Sequence, residues 1–266
     1  MFPFIEIFGR SIGTYSLMTL CGIFTSGIYA CLLVTKQKKD YTDIIIFILI
    51  VSAGAFAGSH LLYVLVNYKD TAYVLKNINS INTFEKFLDA LKITLGGSLF
   101  FGGLLGGIFT GYFLVKKNNN YKEYIDIIAV NIPLFHSFGR IGCFLGGCCF
   151  GIPCKIGFIY TNNPIPEANG IIRFPVQLFE SFFNLTLFFL LNYLYKNRKY
   201  KNKLMYVYLI IYAAGRFFIE FLRGDKYRGI WLFISTSQII SILIIVSVIV
   251  TQYIIYKNKD NSIHTD

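Results

Sequence analysis

The sequence predicts an all-α, polytopic membrane protein of about seven transmembrane helices, and composition and apolar run length carry that prediction. Apolar residues make up 55% of the 266, charged residues only 15%, and mean hydropathy is +0.57. Apolar stretches of about 18 residues or more, long enough to cross a bilayer core, recur along the whole chain. They place spans near 12–34, 44–66, 95–115, 124–138, 176–195, 204–222 and 231–255. The fourth is expected to be the shortest, with Pro133 inside it as a kink that a cavity-lining helix tolerates. Nothing is left over for a soluble domain, so residues 1–266 read as a single transmembrane domain. The first run lacks a basic leading region and exceeds the core of a secretory signal, so it is expected to stay as a span.

A formal charge of +11 would suggest nucleic acid for a soluble chain. Here the charge falls in loops, where membrane orientation and anionic headgroups account for it, and no nucleic-acid partner is expected. Dense basic runs follow the first span (Lys36, Lys38, Lys39), the third (Lys116, Lys117), the fifth (Lys196, Arg198, Lys199, Lys201, Lys203) and the last (Lys257, Lys259). Placing those ends in the cytoplasm puts the N-terminus outside and the C-terminus inside. Basic residues in the opposite loops, Lys69, Lys76, Arg140, Lys155 and Arg173, are given less weight, because those loops are longer or hold the unusual residues.

The sixth span is where chemistry enters. Arg216 and Glu220 stand one helical turn apart inside the apolar run 204–222. Ionisable groups in hydrocarbon are expensive and are read first as functional. Tyr212 precedes Arg216 by four residues and Arg223 follows it by seven, so all four are expected on one face, looking into protein or water. Residues 135–154, FHSFGRIGCFLGGCCFGIPC, hold four of the six cysteines and five glycines. Such glycine density lets backbone approach a ligand and present amides to an anion, and it serves helix packing and turns equally well. Arg140 supplies a forked donor suited to phosphate. In 96–111, the spacing of Gly102 with Gly106, and of Gly103 with Gly107 and Gly111, is that of close helix contacts in a bilayer, with ligand contact the second reading.

Tyr15 with Leu17 and Met18, GGSLFFGGLLGG at 96–107, GRIGCFLGGCCFG at 139–151, FPVQLFE at 174–180 and YAAGRFFIEFLRGD at 212–225 come in the order found in bacterial prolipoprotein diacylglyceryl transferases. The chain resembles that family over nearly its whole length. The resemblance implies a multi-pass enzyme of the bacterial plasma membrane, with a lipid-accessible cavity toward the external leaflet. Such enzymes move the diacylglyceryl group of phosphatidylglycerol to the cysteine thiol of a prolipoprotein signal peptide (the lipobox cysteine) and release glycerol 1-phosphate. Partners are then phosphatidylglycerol, the prolipoprotein and the surrounding membrane lipids.

On this resemblance, Tyr15, Arg140, Glu180, Tyr212, Arg216 and Glu220 are the expected catalytic positions. The two arginines would hold the phosphodiester and steady charge on the leaving phosphate, with Glu220 orienting Arg216. Gly102, Gly103, His136, Arg140, Gly142, Cys143, Cys148 and Gly151 are the expected substrate-binding positions. No metal and no organic cofactor are expected, because phosphate stabilisation and a positioned base suffice. For Tyr15 and Tyr212, interfacial anchoring or packing is the competing reading.

Four departures from the family pattern matter. Cys143 stands where the family usually has Asn, Cys148 where it has Glu, Phe101 where His is frequent, and His60 where Arg is expected. His136, four residues before Arg140, would share its face and stand in for lost acid–base groups; a headgroup-level histidine is the alternative. Cys143, Cys148, Cys149 and Cys154 have spacings of five, one and five. A structural disulfide or packing is the first reading, thiol chemistry the second, and a metal the last, because adjacent cysteines depart from the usual paired spacing. Two other classes stay open: a membrane thiol oxidoreductase using the 143–154 cysteines, and a family-like lipid transferase with a different acceptor. A transporter is disfavoured for want of an inverted repeat.

Overall fold

The computed structural model describes residues 2–7, 9–77, 82–95, 100–118, 121–161, 163, 165–225, 230–231 and 234–263. It is mainly helical. An N-terminal hairpin, β1 (Phe4–Ile7) and β2 (Arg10–Gly13), precedes α1 (Thr14–Lys36) and α2 (Thr42–Val66). Two short amphipathic helices follow, α3 (Tyr68–Lys76) and α4 (Phe84–Leu95), then α5 (Phe100–Lys117) and α6 (Lys122–Gly146). Beyond them come β3 (Pro153–Ile159), a 3-10 turn (Pro166–Ala168) and β4 (Ile172–Arg173), then α7 (Val176–Lys196) and α8 (Leu204–Ile219). A 3-10 turn (Glu220–Leu222), β5 (Ile230–Trp231), β6 (Ile234–Ser235) and α9 (Thr236–Ile263) complete the order.

Six described helices are long and apolar enough to cross a membrane: Thr14–Lys36, Thr42–Val66, Lys122–Gly146, Val176–Lys196, Leu204–Leu222 and Thr236–Asn258. The third expected span is α5, whose 18 residues include Lys116 and Lys117, while Gly96 to Leu99 of its motif lie outside the described residues. The fourth is corrected outright: α6 runs 25 residues, through Pro133 and the whole GRIG motif. Hydropathy ended it early because Arg140, just past residue 138, looks like a loop residue, whereas it stays inside the helix by meeting Glu180 on a neighbouring helix. The last span starts later than expected, after β5 and β6, and α3, α4 and the N-terminal hairpin are too short and too polar overall to register in a search for membrane-length apolar runs.

The chain forms two compact units, Met1–Leu33 with Ile125–Asp266, and Val34–Tyr124. In the second, α2 and α5 lie against each other through glycines. A Cβ on Gly58 would run into the backbone of Gly102 and come 2.9 Å from the Gly106 Cα, and one on Gly106 would meet Gly54 and Gly58. Without side chains there the helices approach at backbone distance.

In the first unit polar pairs tie one helix to the next. Asp126 of α6 accepts the amides of Asn202 (2.5 Å) and Leu204 (3.1 Å), satisfying donors that the start of α8 leaves open. Tyr29 of α1 donates to Asn192 of α7 at 2.8 Å, and Ser181 of α7 to the Ser137 carbonyl of α6 at 2.9 Å. Ser235 and Gln238 form a reciprocal capping box, at 2.9 and 3.2 Å, that fixes where α9 begins.

Candidate active site

Glu180 is the hub. The buried face of α7 takes Val176, Gln177, Glu180, Ser181 and Asn184 and then Leu187, Phe188 and Leu191, so its first turns are polar and the remainder apolar. The Glu180 residue is 2% exposed. From α6, Arg140 Nη2 lies 3.0 Å from Glu180 Oε1 and His136 Nε2 lies 3.9 Å from it. From α8, Arg216 Nη1 lies 3.8 Å from Oε2 of the same carboxylate. The other arm of Arg216 reaches Glu220 Oε2 at 2.6 Å and donates to Ser237 Oγ of α9 at 3.2 Å. Two guanidinium groups and two carboxylates therefore offset one another where an unpaired charge would cost several kcal/mol.

Around that core, Arg140 Nε donates to His136 Nε2 at 3.3 Å, so this ring nitrogen accepts and carries no proton. Tyr212 shares a hydrogen bond with Arg140, stacks on Tyr208 at 5.6 Å and lies 5.4 Å from the His136 ring. Tyr15, half-exposed on α1, crosses α6 at Gly142, where a Cβ would stand 3.2 Å from the Tyr15 Cα and 3.1 Å from the Met18 Cβ. Gly142 thus brings α1 close to the helix that carries Arg140.

Arg223 does not keep the face it was expected to share. The helix tightens into the 3-10 turn at Glu220, Arg223 turns extended (ψ 137°), and its guanidinium forks onto Asp225 at 2.9 and 2.5 Å. Its backbone pairs with Gly151, and the amides of Ile152 and Gly224 donate to Leu222 (3.0 Å) and Phe150 (2.9 Å). A Cβ on Gly151 would strike the Phe174 carbonyl, so that glycine permits a close backbone approach. Gly102 and Gly103 stand in the other compact unit, against Gly58 and Ala55. The side chain of Phe101 lies outside the described residues, and His60 stacks near Phe56 at 4.4 Å.

The cysteine loop folds back on the end of α6. Gly147 takes φ +77° and Cys149 φ +55°, and the Cys148 amide donates to the Cys143 carbonyl at 3.1 Å. The sulfurs of Cys143, Cys148 and Cys149 all come within 4.8 Å of one another. No disulfide joins any of the six cysteines, so of the expected disulfide or packing role the disulfide half is corrected, and three thiols cluster instead. Cys154 is outside it, its Sγ donating to the Ile156 carbonyl at 2.9 Å. Beyond the helix, the Cys149 thiol is held far below its usual range by hydrogen bonds from Cys143 and Cys148, and then by Arg223 and Arg140. Hydrogen bonding to Cys143 and Cys149 pushes Cys148 in the opposite direction.

Three participants escaped sequence reading. Gln177 donates to the Cys148 carbonyl (2.7 Å) and the Tyr160 hydroxyl (2.8 Å), and its position one turn before Glu180 was an available signal. Arg173 had been counted as a loop charge, yet it is buried, donates to the carbonyls of Gly151, Glu167 and Ala168, and covers the Phe150 ring at 4.5 Å. Ser237 had no signal, because only the cap of α9 brings it to Arg216.

The family model described as prolipoprotein diacylglyceryl transferase matches residues 3–254. The chain belongs to this family. A phosphatidylglycerol–prolipoprotein diacylglyceryl transferase of Clostridium tetani is 35% identical over 252 residues, 91% of this chain and 92% of that protein. A second, from Clostridium perfringens, is 37% identical over 91% of this chain and 90% of its own length, and one from Clostridioides difficile is 29% identical over 96% of each. As a member of the family with several membrane-crossing helices, the chain is a multi-pass membrane transferase of lipoprotein biosynthesis.

Proposed function

We propose that the protein transfers the diacylglyceryl group of phosphatidylglycerol to the lipobox cysteine thiol of a prolipoprotein, with its N-terminus outside the bacterial plasma membrane and its C-terminus in the cytoplasm. The observation that carries the reading is the convergence of Arg140 and Arg216, from different helices, on one buried carboxylate. Glu180 holds two forked donors a few ångströms apart without consuming all their N–H groups, which is the arrangement a phosphodiester needs. The acceptor thiolate attacks the glycerol carbon, a C–S bond forms, the C–O bond breaks, and its electron pair passes to the phosphate oxygen of departing glycerol 1-phosphate. Charge grows on that oxygen, and donors fixed in advance by Glu180 and Glu220 lower the barrier without having to reorganise. Tyr212 holds Arg140 from the α8 side, and His136 steers its Nε.

Labelled phosphatidylglycerol and a lipobox peptide, reconstituted with wild type or Arg216→Ala, test this. Lipidated peptide from the wild type and at least about 10²-fold less from an inserted variant is the expected result. A folded wild type that makes no product would turn attention to a different acceptor or to thiol redox chemistry. The second of those readings uses the three converging thiols but gives Glu180, Arg216 and Glu220 no task.

A further inference from the structure

We infer that Cys143, Cys148 and Cys149 form a three-thiolate site for a zinc-class divalent cation, whose fourth coordination position takes the acceptor thiol. The acceptor half of this inference rests on the transfer reading above; the metal half does not.

Adjacent Cys148 and Cys149 depart from the usual paired ligand spacing, which on ordinary backbone argues against a metal. The left-handed turn removes that objection. Gly147 (φ +77°) ends α6 and Cys149 (φ +55°) reverses the chain again, so that three sulfurs converge within 4.8 Å. A non-glycine residue in that region costs about 1–2 kcal/mol and persists only where its surroundings hold it. Here they do: the Cys148 carbonyl accepts from Gln177 at 2.7 Å, the Cys148 amide is tied to the Cys143 carbonyl, and the Gly147 carbonyl accepts from Asn163 at 2.7 Å. With the Phe150 carbonyl taking the Gly224 amide at 2.9 Å, the loop is fastened on both sides of the cysteine pair in the geometry that brings the sulfurs together.

Zinc–thiolate bonds of about 2.3 Å put tetrahedral sulfurs about 3.8 Å apart. Closing from the observed spacing takes small side-chain rotations. Sulfur-only donors favour a soft ion over magnesium or calcium. Among the described residues no fourth Cys, His, Asp or Glu joins the group, and Cys154 is turned away onto the Ile156 carbonyl. Three protein ligands and one open position is the arrangement of a reactive zinc centre, whereas structural sites close with four. Three thiolates on a divalent ion leave one net negative charge, and Arg140, three residues before Cys143, offers an opposite one.

The chemistry then supplies what Cys143 and Cys148 remove by standing at usually polar positions. A thiol that coordinates such an ion loses its proton outright. The proton leaves to solvent, the bound thiolate donates its lone pair to the glycerol carbon, and the C–O electron pair leaves with the phosphate toward the arginines. The ion is neither oxidised nor reduced.

Cobalt(II) titrated into the detergent-solubilised full chain reads the site directly. One ion per chain with intense sulfur-to-cobalt charge-transfer absorption, displaced by zinc, lost in Cys148→Ser and in Cys149→Ser but kept in Cys154→Ser, is the expected result. Adding a lipobox peptide should raise that absorption by about a third, the increment of a fourth sulfur, while its Cys→Ser counterpart should not. Absence of the band in wild type overturns the site. A band that ignores the peptide, or full transfer by chelator-stripped protein, overturns the acceptor role. A peptide-responsive band in a protein that makes no lipidated product leaves this site standing and removes the transfer reading instead.

Discussion

Two helix contacts in this molecule solve the same problem with opposite chemistry. Between α2 and α5, Gly54 and Gly58 meet Gly102 and Gly106, and attraction comes from backbone laid on backbone. Where α6, α7 and α8 meet, Arg140, Glu180, Arg216 and Glu220 replace that surface with paired charge. The glycine contact brings no charged side chain to its described surface, and its hydroxyls, Thr110 and Ser59, donate to backbone carbonyls of their own helices. The charged contact has groups able to donate a proton and stabilise an anion, and removing one partner leaves another buried and uncompensated. The contrast explains why glycine-rich motifs with similar spacing deserve different readings: what decides is whether titratable side chains stand among them.

The largest effect should come from the charged contact. Arg216→Ala is expected to lower transfer by about 10²–10³-fold, as loss of a preorganised donor does, and Arg216→Lys should recover little because a point charge cannot serve Glu180, Glu220 and a phosphate together. Near-normal turnover by either variant would take Arg216 out of the mechanism. Next, Gly58→Leu should cost about 1–3 kcal/mol or more in thermal or denaturant unfolding, because the added atoms meet the Gly102 backbone. If that variant kept its stability and lost transfer, the glycine contact would have a chemical role and the comparison would break. Smaller again, Ser237→Ala removes one hydrogen bond to Arg216 and should slow transfer by roughly 2- to 10-fold, through kcat rather than KM.

How much of this was legible in sequence follows the same division. Arg216 and Glu220 announce themselves because charge is rare in an apolar run, and the six strongest spans do so by length. Glu180 stood out for the same reason, but nothing local says that it receives Arg140 and Arg216 at once; that is set by where α6, α7 and α8 cross. Arg173 and Arg140 look like loop charges in a count of basic residues, yet Arg173 is buried and Arg140 mostly covered, since a count cannot see the carbonyls and carboxylates that receive them. The convergence of the three thiols was hidden for a different reason. Spacing arguments assume ordinary backbone, and a left-handed Cys149 is visible only in the fold. Family resemblance reached further than physical pattern because five ordered motifs carry the consequences of helix crossings that no single stretch encodes.

The smallest expected effect lies at the entrance to α2, in the same compact unit as the glycine contact. Asp40 Oδ1 accepts from the amide and the hydroxyl of Thr42, both at 2.8 Å, and these bonds to the charged form hold its carboxyl below the ordinary 3.8. A depressed folded value means that the bonds add stability at pH above 3.8, and that their contribution is lost as pH falls through the lower folded value. Asp40 is fully exposed, so solvent screens the contribution and the loss is modest. Asp40→Ala should therefore lower Tm slightly at pH 6 and leave it unchanged at a pH low enough to protonate the wild-type carboxylate. An equal Tm difference at both pH values would mean that side-chain geometry, rather than charge, starts α2, and this edge of the glycine-packed unit would then be set by shape alone.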